Sequence, residues 1–242
     1  MLEILPSILA ENAEELREKL MFPGLWEPGM TAHVDILDGS MFGARCFCDA
    51  AAVTALHESP LSASAPSLLP HKWGRDHVPF IELHCMIQNP LPIIEQWKAL
   101  VPETIRAIVH AEISRPLSPI LDAIRACDLE TGVALCPETA PDVIDVLSQL
   151  PDRILVMGVQ PGHSGHAFLG EPILAKIRRI RAIHPSLAIA VDGGVTQENM
   201  QNIINAGANA LIAGSAIWGT DHPRNAYLAL THSAALPPKN NL

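Results

Sequence analysis

Residues 32–37 read AHVDIL, and a segment with the spacing of an amphipathic helix follows at 49–57. Side chains alternate between the two faces of a strand, so His33 and Asp35 point one way and Val34 the other. The same order of strand and helix recurs along the chain. We predict strands at 4–9, 32–37, 80–87, 105–110, 132–135, 154–159, 188–191 and 210–213. We predict helices at 13–21, 49–57, 91–99, 117–127, 141–149, 172–183 and 197–206, then a short turn at Ala216 and a helix at 223–233.

Strands that alternate with helices pair in parallel, and eight such units fit a closed (β/α)8 TIM barrel of the α/β class. We therefore expect one domain over residues 1–242, with an open doubly wound sheet as the alternative because periodicity does not reveal closure. Residues 59–78, rich in Ser and Pro, predict a long loop insertion between strands 2 and 3. That insertion is interpreted either as solvated loop or as a lid or oligomer contact.

Composition limits the classes of function. The chain has 242 residues, 48% of them hydrophobic and 17% charged, with 16 basic against 26 acidic side chains. A net charge of −10 without a basic face argues against nucleic acid or an anionic membrane as partner. No apolar run reaches the roughly 20 residues that cross a bilayer. We expect a protein without a membrane partner.

The cysteines predict a reduced, cytoplasmic protein. There are five of them, an odd number, without a CxxC pair and without a signal-like segment before them. Cys46 and Cys48 form a CxC that could hold a metal, although ordinary thiols are the preferred interpretation.

The candidate functional residues stand at strand ends. In a (β/α)8 barrel the active site lies at the carboxyl ends of the strands, which is where His33, Asp35, His84 and Asp192 fall. Two imidazoles and two carboxylates converging there would form a metal site with its own pair of proton-transfer groups.

Six segments, in order from Leu5 to Trp218, resemble the ribulose-phosphate 3-epimerase family. They are LPSILA (5–10), HVDILDG (33–39), LHCM (83–86), MGVQPG (157–162), VDGGV (191–195) and AGSAI (213–217). Each is weak alone, but six in order favour the family and its ribulose-phosphate-binding barrel.

The resemblance implies a divalent metal ion, Zn, Fe(II), Mn or Co, on His33, Asp35, His84 and Asp192. It also implies that Asp35 and Asp192 are the catalytic acid/base pair, which inverts C3 of a ketose phosphate through an enediolate. D-ribulose 5-phosphate, in the pentose phosphate pathway, or an analogue such as D-allulose 6-phosphate is the expected substrate. A homo-oligomer is also implied.

The resemblance implies a substrate site around this centre. Backbone amides at glycines approach a phosphate closely, and a helix N-terminus favours its charge, so an acidic protein needs no basic side chain there. The residues implied in substrate binding are Ser7, His84, Met86, Met157, Gly162, His163, Ser164, Gly165, Gly193, Gly194, Gly214 and Ser215.

The chain departs from the family in its loops. Residues 160–166 read QPGHSGH where the family usually reads NPGFGGQ, so Ser164 stands in place of a glycine. Leu37 replaces a usual methionine, and SMFGA at 40–44 replaces a stretch that usually reads HFVPN. Since loops set substrate choice, these changes put the particular sugar in question more than the reaction type.

Two other functions are considered. A non-catalytic sugar-phosphate binder on the same scaffold would account for the altered loops. Aldol or decarboxylation chemistry of related barrels uses an Asp-x-Lys-x-x-Asp pattern, which is missing because Asp35 is followed by Ile36, Leu37 and Asp38. Glu112 and Glu138, which follow strands 4 and 5, could serve in catalysis, although surface carboxylates are the preferred interpretation.

Overall fold

The computed structural model describes residues 2–47, 49–58, 79–162 and 165–235. Eight parallel strands close into a barrel in chain order, with β1 paired to both β2 and β8, so the predicted TIM barrel is confirmed and the open sheet is excluded. The strands are β1 (Glu3–Ile8), β2 (Thr31–Ile36), β3 (Phe80–Cys85), β4 (Thr104–His110), β5 (Glu130–Leu135), β6 (Arg153–Met157), β7 (Ala188–Asp192) and β8 (Ala210–Ala213).

Helices follow the strands as expected. They are α1 (Ala13–Leu20), α2 (Ala50–Glu58), α3 (Leu91–Leu100), α4 (Leu117–Ala126), α5 (Glu171–Ile183), α6 (Met200–Ala206), α7 (Ser215–Trp218) and α8 (Pro223–Ala235). The predicted insertion at 59–78 lies outside the described residues. No helix in the described part of the chain combines the length and the apolar character required to cross a membrane.

Two predicted helices are shorter than expected. The segment at 141–149 forms only a 3₁₀ turn over Pro141–Ile144, because Ile144 is buried whereas Val146 is 82% exposed and offers no continuing apolar face. Helix α6 starts at Met200 rather than 197, since the Asn199 side chain accepts a hydrogen bond from the Thr196 N–H at 2.9 Å and caps a turn before the helix.

Burial separates the two faces of the strands. Outward residues such as Val34 pack with the helices in one large cluster. The barrel interior holds a second cluster made of Leu5, Ile108, Ala134, Leu155, Met157, Ala190, Ala210 and Ile212. At Gly132 a Cβ would lie 2.5 Å from Ile108, so only glycine fits this layer. His33 and Asp35 point inward, as predicted from alternation.

Charged side chains form a floor at the amino ends of the strands. Glu82, fully buried, accepts hydrogen bonds from Arg106 at 2.5 Å and from Arg153 at 2.9 Å. Arg106 also pairs with Glu130, and Arg153 with Glu3 at 2.6 Å. We call these five residues the ionic floor. Because each charge in it meets an opposite charge, its burial is compensated.

Candidate active site

Three strands carry the candidate metal ligands to one point. His33 and Asp35 come from β2, His84 from β3 and Asp192 from the end of β7, and one ligand atom of each lies within 4.8 Å of the others. Register explains the closeness, since Asp35 pairs with His84 across β2 and β3. All four residues, which we call the ligand cluster, open toward the carboxyl ends of the strands.

The distances within the cluster leave room for a cation. His84 Nδ1 lies 2.9 Å from Asp35 Oδ1 and 3.6 Å from Asp192 Oδ2. His33 Nε2 lies 3.5 Å from Asp35 Oδ1 and 3.9 Å from Asp192 Oδ2. Two nitrogens and two carboxylate oxygens around one point form a ligand set that suits Zn, Fe(II) or Mn.

The orientation of His33 supports the same interpretation. Its Nδ1 donates to Glu82 at 2.7 Å, so the other nitrogen, Nε2, faces the cluster. This buried Nε2 makes no hydrogen bond with any described residue. A metal-binding histidine commonly has its second nitrogen bonded to a carboxylate in this way. The residues present therefore fit a divalent ion.

Neighbouring charges strongly shift the pKa values of the side chains in and behind the cluster. Burial opposes the charged form of His33, but the carboxylates of Asp35 and Glu82 outweigh it and raise the pKa of His33 to about 10. Burial likewise opposes ionisation of Asp35 and Glu82, yet the facing imidazoles hold the pKa of each well below its usual range. The proton on His33 and a bound cation would compete for one position.

Asp192 behaves differently from Asp35. Burial, reinforced by the charges of Asp35 and Glu82, raises the pKa of Asp192 to about 6 against the opposing effect of the imidazoles. The difference arises because Asp35 accepts a hydrogen bond from His84, whereas Asp192 stands farther from both rings. The two carboxylates thus occupy unequal environments at one site.

An open cleft of about 390 Å³ lies above the cluster. Asp35 and Asp192 line it directly, while both histidines are fully buried beneath. Of the predicted substrate-binding residues, the cleft is lined by Ser7, Met86, Met157, Gly162, Gly165, Gly193, Gly194, Gly214 and Ser215. His84 is the one placed behind the wall rather than on it. His163 and Ser164 lie outside the described residues, as does Cys48.

The turn after β7 brings backbone to the cleft surface. Gly193 and Gly194 have φ of +100° and +68°, a region that favours glycine. A Cβ on Gly194 would lie 2.4 Å from the Phe168 backbone nitrogen, and one on Gly193 would meet Val159 at 2.4 Å. The two glycines are therefore required both for the turn and for the close approach of the neighbouring loop.

Ser7 and Cys46 also contact the β2 end of the site. Ser7 Oγ donates to Asp35 Oδ2 at 2.9 Å, which leaves the hydroxyl at the cleft beside a candidate acid/base group. Cys46 Sγ lies 3.1 Å from the Asp35 carbonyl oxygen and accepts from the Leu37 N–H at 3.2 Å. In this position Cys46 supports the β2 loop.

Sequence reasoning missed the residues behind the cluster. Glu82 stands two residues before His84, which places both on one face of β3, and Glu112 follows His110 by two residues just beyond the end of β4. These spacings could have signalled Glu82 and His110. His84 Nε2 lies 2.9 Å from His110 Nε2, and His110 Nδ1 lies 2.9 Å from Glu112 Oε2. Glu138 is exposed as expected, whereas Glu112 is half-buried with three hydrogen-bond partners and is not a surface carboxylate.

These groups have their own electrostatics. Burial lowers the pKa of His110 to about 4, although Glu112 acts against it. Burial opposes the charge on Glu112, but hydrogen bonds from His110, Thr139 and Cys136 lower its pKa to about 2. Burial and the Glu112 charge raise the pKa of the Cys136 thiol. Glu112 is accordingly charged beside a neutral His110.

Solved structures resemble the fold at low sequence identity. A protein described as KGPDC from Streptococcus mutans matches with a TM-score of 0.64 and 13% identity, over 96% of this chain and 97% of that one. The 3-hexulose-6-phosphate synthase from Salmonella typhimurium matches with a TM-score of 0.63, also at 13% identity, over 96% and 97% of the two chains. These likenesses support the barrel fold alone.

Sequence relatives are more specific. The ribulose-phosphate 3-epimerase of Chlamydia muridarum is 37% identical over 59% of this chain and 64% of its own length. That of Synechocystis sp. is 29% identical over 98% of this chain and 96% of its own. The model of the ribulose-phosphate 3 epimerase family matches residues 72–218, which is more than half of the chain and includes four of the six resembling segments, from LHCM at 83–86 onward. The chain therefore belongs to the ribulose-phosphate 3 epimerase family, and it is an isomerase-class enzyme.

Proposed function

We propose that this protein inverts C3 of a ketose phosphate, with D-ribulose 5-phosphate as the first substrate to test. The observation that carries the proposal is the placement of Asp35 and Asp192 together at one cleft, above two buried histidines. The names of the sequence relatives support the same reaction.

Inversion next to a ketone requires that one group remove the C3 proton and another return a proton on the opposite face. Asp35 on β2 and Asp192 on β7 supply two carboxylates from separate strands, on the two sides of β1 and β8. One removes the proton, which leaves an enediolate, and the other protonates its far face. The unequal environments of the two carboxylates suit an acid paired with a base.

The proposal includes a divalent metal ion held by His33, Asp35, His84 and Asp192. When bound, such an ion would supply Lewis-acid stabilisation of negative charge that develops on the substrate oxygens. Glu82 contributes by holding His33 with Nε2 toward the site. The ligand set suits zinc, iron(II), manganese or cobalt.

The rest of the cleft supports binding of a small phosphorylated sugar. Met86 and Met157 offer polarisable apolar walls, and Ser7 places a hydroxyl beside Asp35. At the other side, the turn at Gly193 and Gly194 exposes backbone without side chains, which permits close approach of a phosphate. We include Gly162, Gly165, Gly214 and Ser215 in this binding surface.

The test is a coupled assay with D-ribulose 5-phosphate and D-allulose 6-phosphate. The protein is stripped with chelator and reloaded separately with Zn(II), Mn(II) or Fe(II), and hydrogen exchange from D2O into C3 is followed by NMR. We expect turnover of at least one substrate, C3 exchange, and loss of both after stripping. Binding of these sugars without turnover or exchange would instead identify a non-catalytic sugar-phosphate binder.

A further inference from the structure

A line of three side chains leads away from the ligand cluster at the carboxyl ends of β3 and β4. The His84 and His110 rings stack with centroids 5.0 Å apart, and their Nε2 atoms are 2.9 Å from each other. Both rings are fully buried. His110 Nδ1 then reaches Glu112 Oε2 at 2.9 Å. The line joins a candidate ligand to a carboxylate that does not face the cleft.

The contacts of Glu112 assign separate roles to its two carboxylate oxygens. Its Oε1 accepts from the Cys136 N–H at 2.9 Å and is also bonded to the Thr139 hydroxyl. A backbone N–H only donates, so this oxygen must be an acceptor. The other oxygen, Oε2, is therefore the one that faces His110.

These contacts determine where the protons lie. A carboxylate oxygen accepts only, so His110 Nδ1 carries a hydrogen and donates it to Glu112. In neutral His110 the remaining nitrogen, Nε2, is an acceptor. Two imidazole nitrogens 2.9 Å apart share one proton, which must then come from His84 Nε2. With its Nε2 proton held toward His110, His84 presents Nδ1 to Asp35 and Asp192, and a metal ion would bind this atom in place of the proton that Asp35 accepts.

We propose that Glu112, acting through His110, is a positioning residue that keeps a proton on His84 Nε2, so that His84 Nδ1 can exchange its own proton for a metal ion. The inference rests on the proposed function, since it assigns His84 as a ligand. It gives His84 the support that Glu82 gives His33 on the other side of the cluster. Each imidazole then has a carboxylate behind it, directly for His33 and through a second ring for His84.

The substitution Glu112→Gln tests the proton order without changing shape. The Gln oxygen must remain on the Cys136 N–H, so the amide NH2 would face His110 Nδ1. His110 would then accept at Nδ1 and donate from Nε2 to His84. His84 Nε2 would then be the acceptor, so Nδ1 would carry the only proton of the ring and could not give it up to a metal ion without leaving the ring anionic. Glu138→Gln is the matched control, because Glu138 is exposed at the end of the next strand.

The readouts are metal affinity and tautomer state. Calorimetric titration of the stripped protein with Zn(II) and Mn(II) should show affinity about 10- to 100-fold weaker in Glu112→Gln, with Glu138→Gln unchanged. Nitrogen-15 NMR of the stripped protein at pH 8.5 should find the His110 proton on Nδ1 in wild type and on Nε2 in Glu112→Gln. Wild-type metal affinity in Glu112→Gln, or a wild-type His110 that carries its proton on Nε2, would overturn the proposal.

Failures of the two proposals are distinguishable. If the wild type binds Zn(II) and epimerises but Glu112→Gln behaves identically, only the positioning role is wrong. If the wild type binds no divalent ion, the metal site of the proposed function fails, and the His110 tautomer in the two proteins still decides the proton order. Circular dichroism of each variant checks that it is folded, and the wild-type NMR measurement requires no variant.

Discussion

Both ends of the barrel interior contain buried charged side chains, but these are fully paired at the amino end and, among the described residues, incompletely hydrogen-bonded at the carboxyl end. In the ionic floor, Arg106 and Arg153 each contact two carboxylates, and Glu82 contacts both arginines. In the ligand cluster, two imidazoles face two carboxylates and His33 Nε2 has no hydrogen-bond partner among the described residues. Buried charges that are fully paired, as in the ionic floor, are typical of a structural role. A buried polar atom that lacks a partner beside a cleft, as in the ligand cluster, indicates a binding site.

Glu82 belongs to both ends. One of its oxygens accepts from His33 and the other from the two arginines. Substitutions in the ligand cluster should therefore change activity, and substitutions in the ionic floor should change stability. Substitution of Glu82 should change both. The following predictions test this division.

The largest effect is expected for Asp192→Asn. An amide cannot carry the proton to or from C3, so kcat should fall on the order of 10²- to 10⁴-fold. The amide is isosteric, so the melting temperature should change little. Steady-state assays with D-ribulose 5-phosphate measure the effect, with Asp142→Asn as control because Asp142 forms only an exposed ion pair with Arg179. Near-wild-type kcat in Asp192→Asn would disprove the role.

Glu82→Gln should destabilise the fold most. Two buried arginines would lose a shared carboxylate, and breaking a buried ion pair costs about 3–5 kcal/mol of unfolding free energy. Urea denaturation measures the loss, and metal titration should show weaker binding through His33. In the control Glu130→Gln, whose carboxylate is half exposed, the loss should stay below about 1 kcal/mol. Equal losses in the two variants would show that the floor does not depend on Glu82.

Gly194→Ala should cost stability and substrate affinity together. The new Cβ would meet the Phe168 backbone at 2.4 Å, so the turn must shift, at about 1–3 kcal/mol. We expect a raised KM for the ketose phosphate. Gly29→Ala is the control, since Gly29 has φ of +86° but nothing within 4 Å of a new Cβ. If both variants keep wild-type KM, the turn does not bind substrate.

The smallest effect is expected for Asp152→Asn, at the amino end of the barrel. Burial opposes ionisation of Asp152, but hydrogen bonds from the Thr131 N–H at 2.7 Å and hydroxyl at 2.8 Å lower its pKa. A lowered pKa stabilises the fold above the unfolded value of about 3.9, and this is lost as pH falls through the folded value. Asp152→Asn should therefore lose about 0.5–1.5 kcal/mol at pH 7 and less at about pH 2. Urea denaturation at both pH values measures this, and an equal gap at both would contradict it.

Much of the fold could be predicted because its signals are local. The runs around His33, His84 and Asp192 marked strands, and a parallel barrel brings the carboxyl ends of its strands to one face. Closure of the barrel could not be predicted from local signals, since it depends on the pairing of β1 with β8 at opposite ends of the chain. The 3₁₀ turn at Pro141–Ile144 was missed for a similar reason, because burial of one residue, rather than propensity, limits its length.

The site could be predicted only in part. Asp35 and Asp192 stand at strand ends in short motifs, so they were found. Glu82 contacts His33 from the neighbouring strand, and Glu112 reaches His84 only through His110 on the next strand, and these cross-strand contacts depend on the register. Glu112 was interpreted as a surface group because sequence does not show that the Cys136 N–H and Thr139 would surround it.

The ligand cluster draws on β2, β3 and β7, which are remote in the chain and meet only when the barrel is complete. An ion that binds these four side chains would stabilise the closed barrel relative to any partly folded state, since the unfolded chain offers no preformed site. At a hundred times its dissociation constant it would stabilise the native state by about 2.7 kcal/mol. The same residues that we assign to chemistry would thus also favour the last step of folding, because the ion can bind all four of them only after β8 has paired with β1.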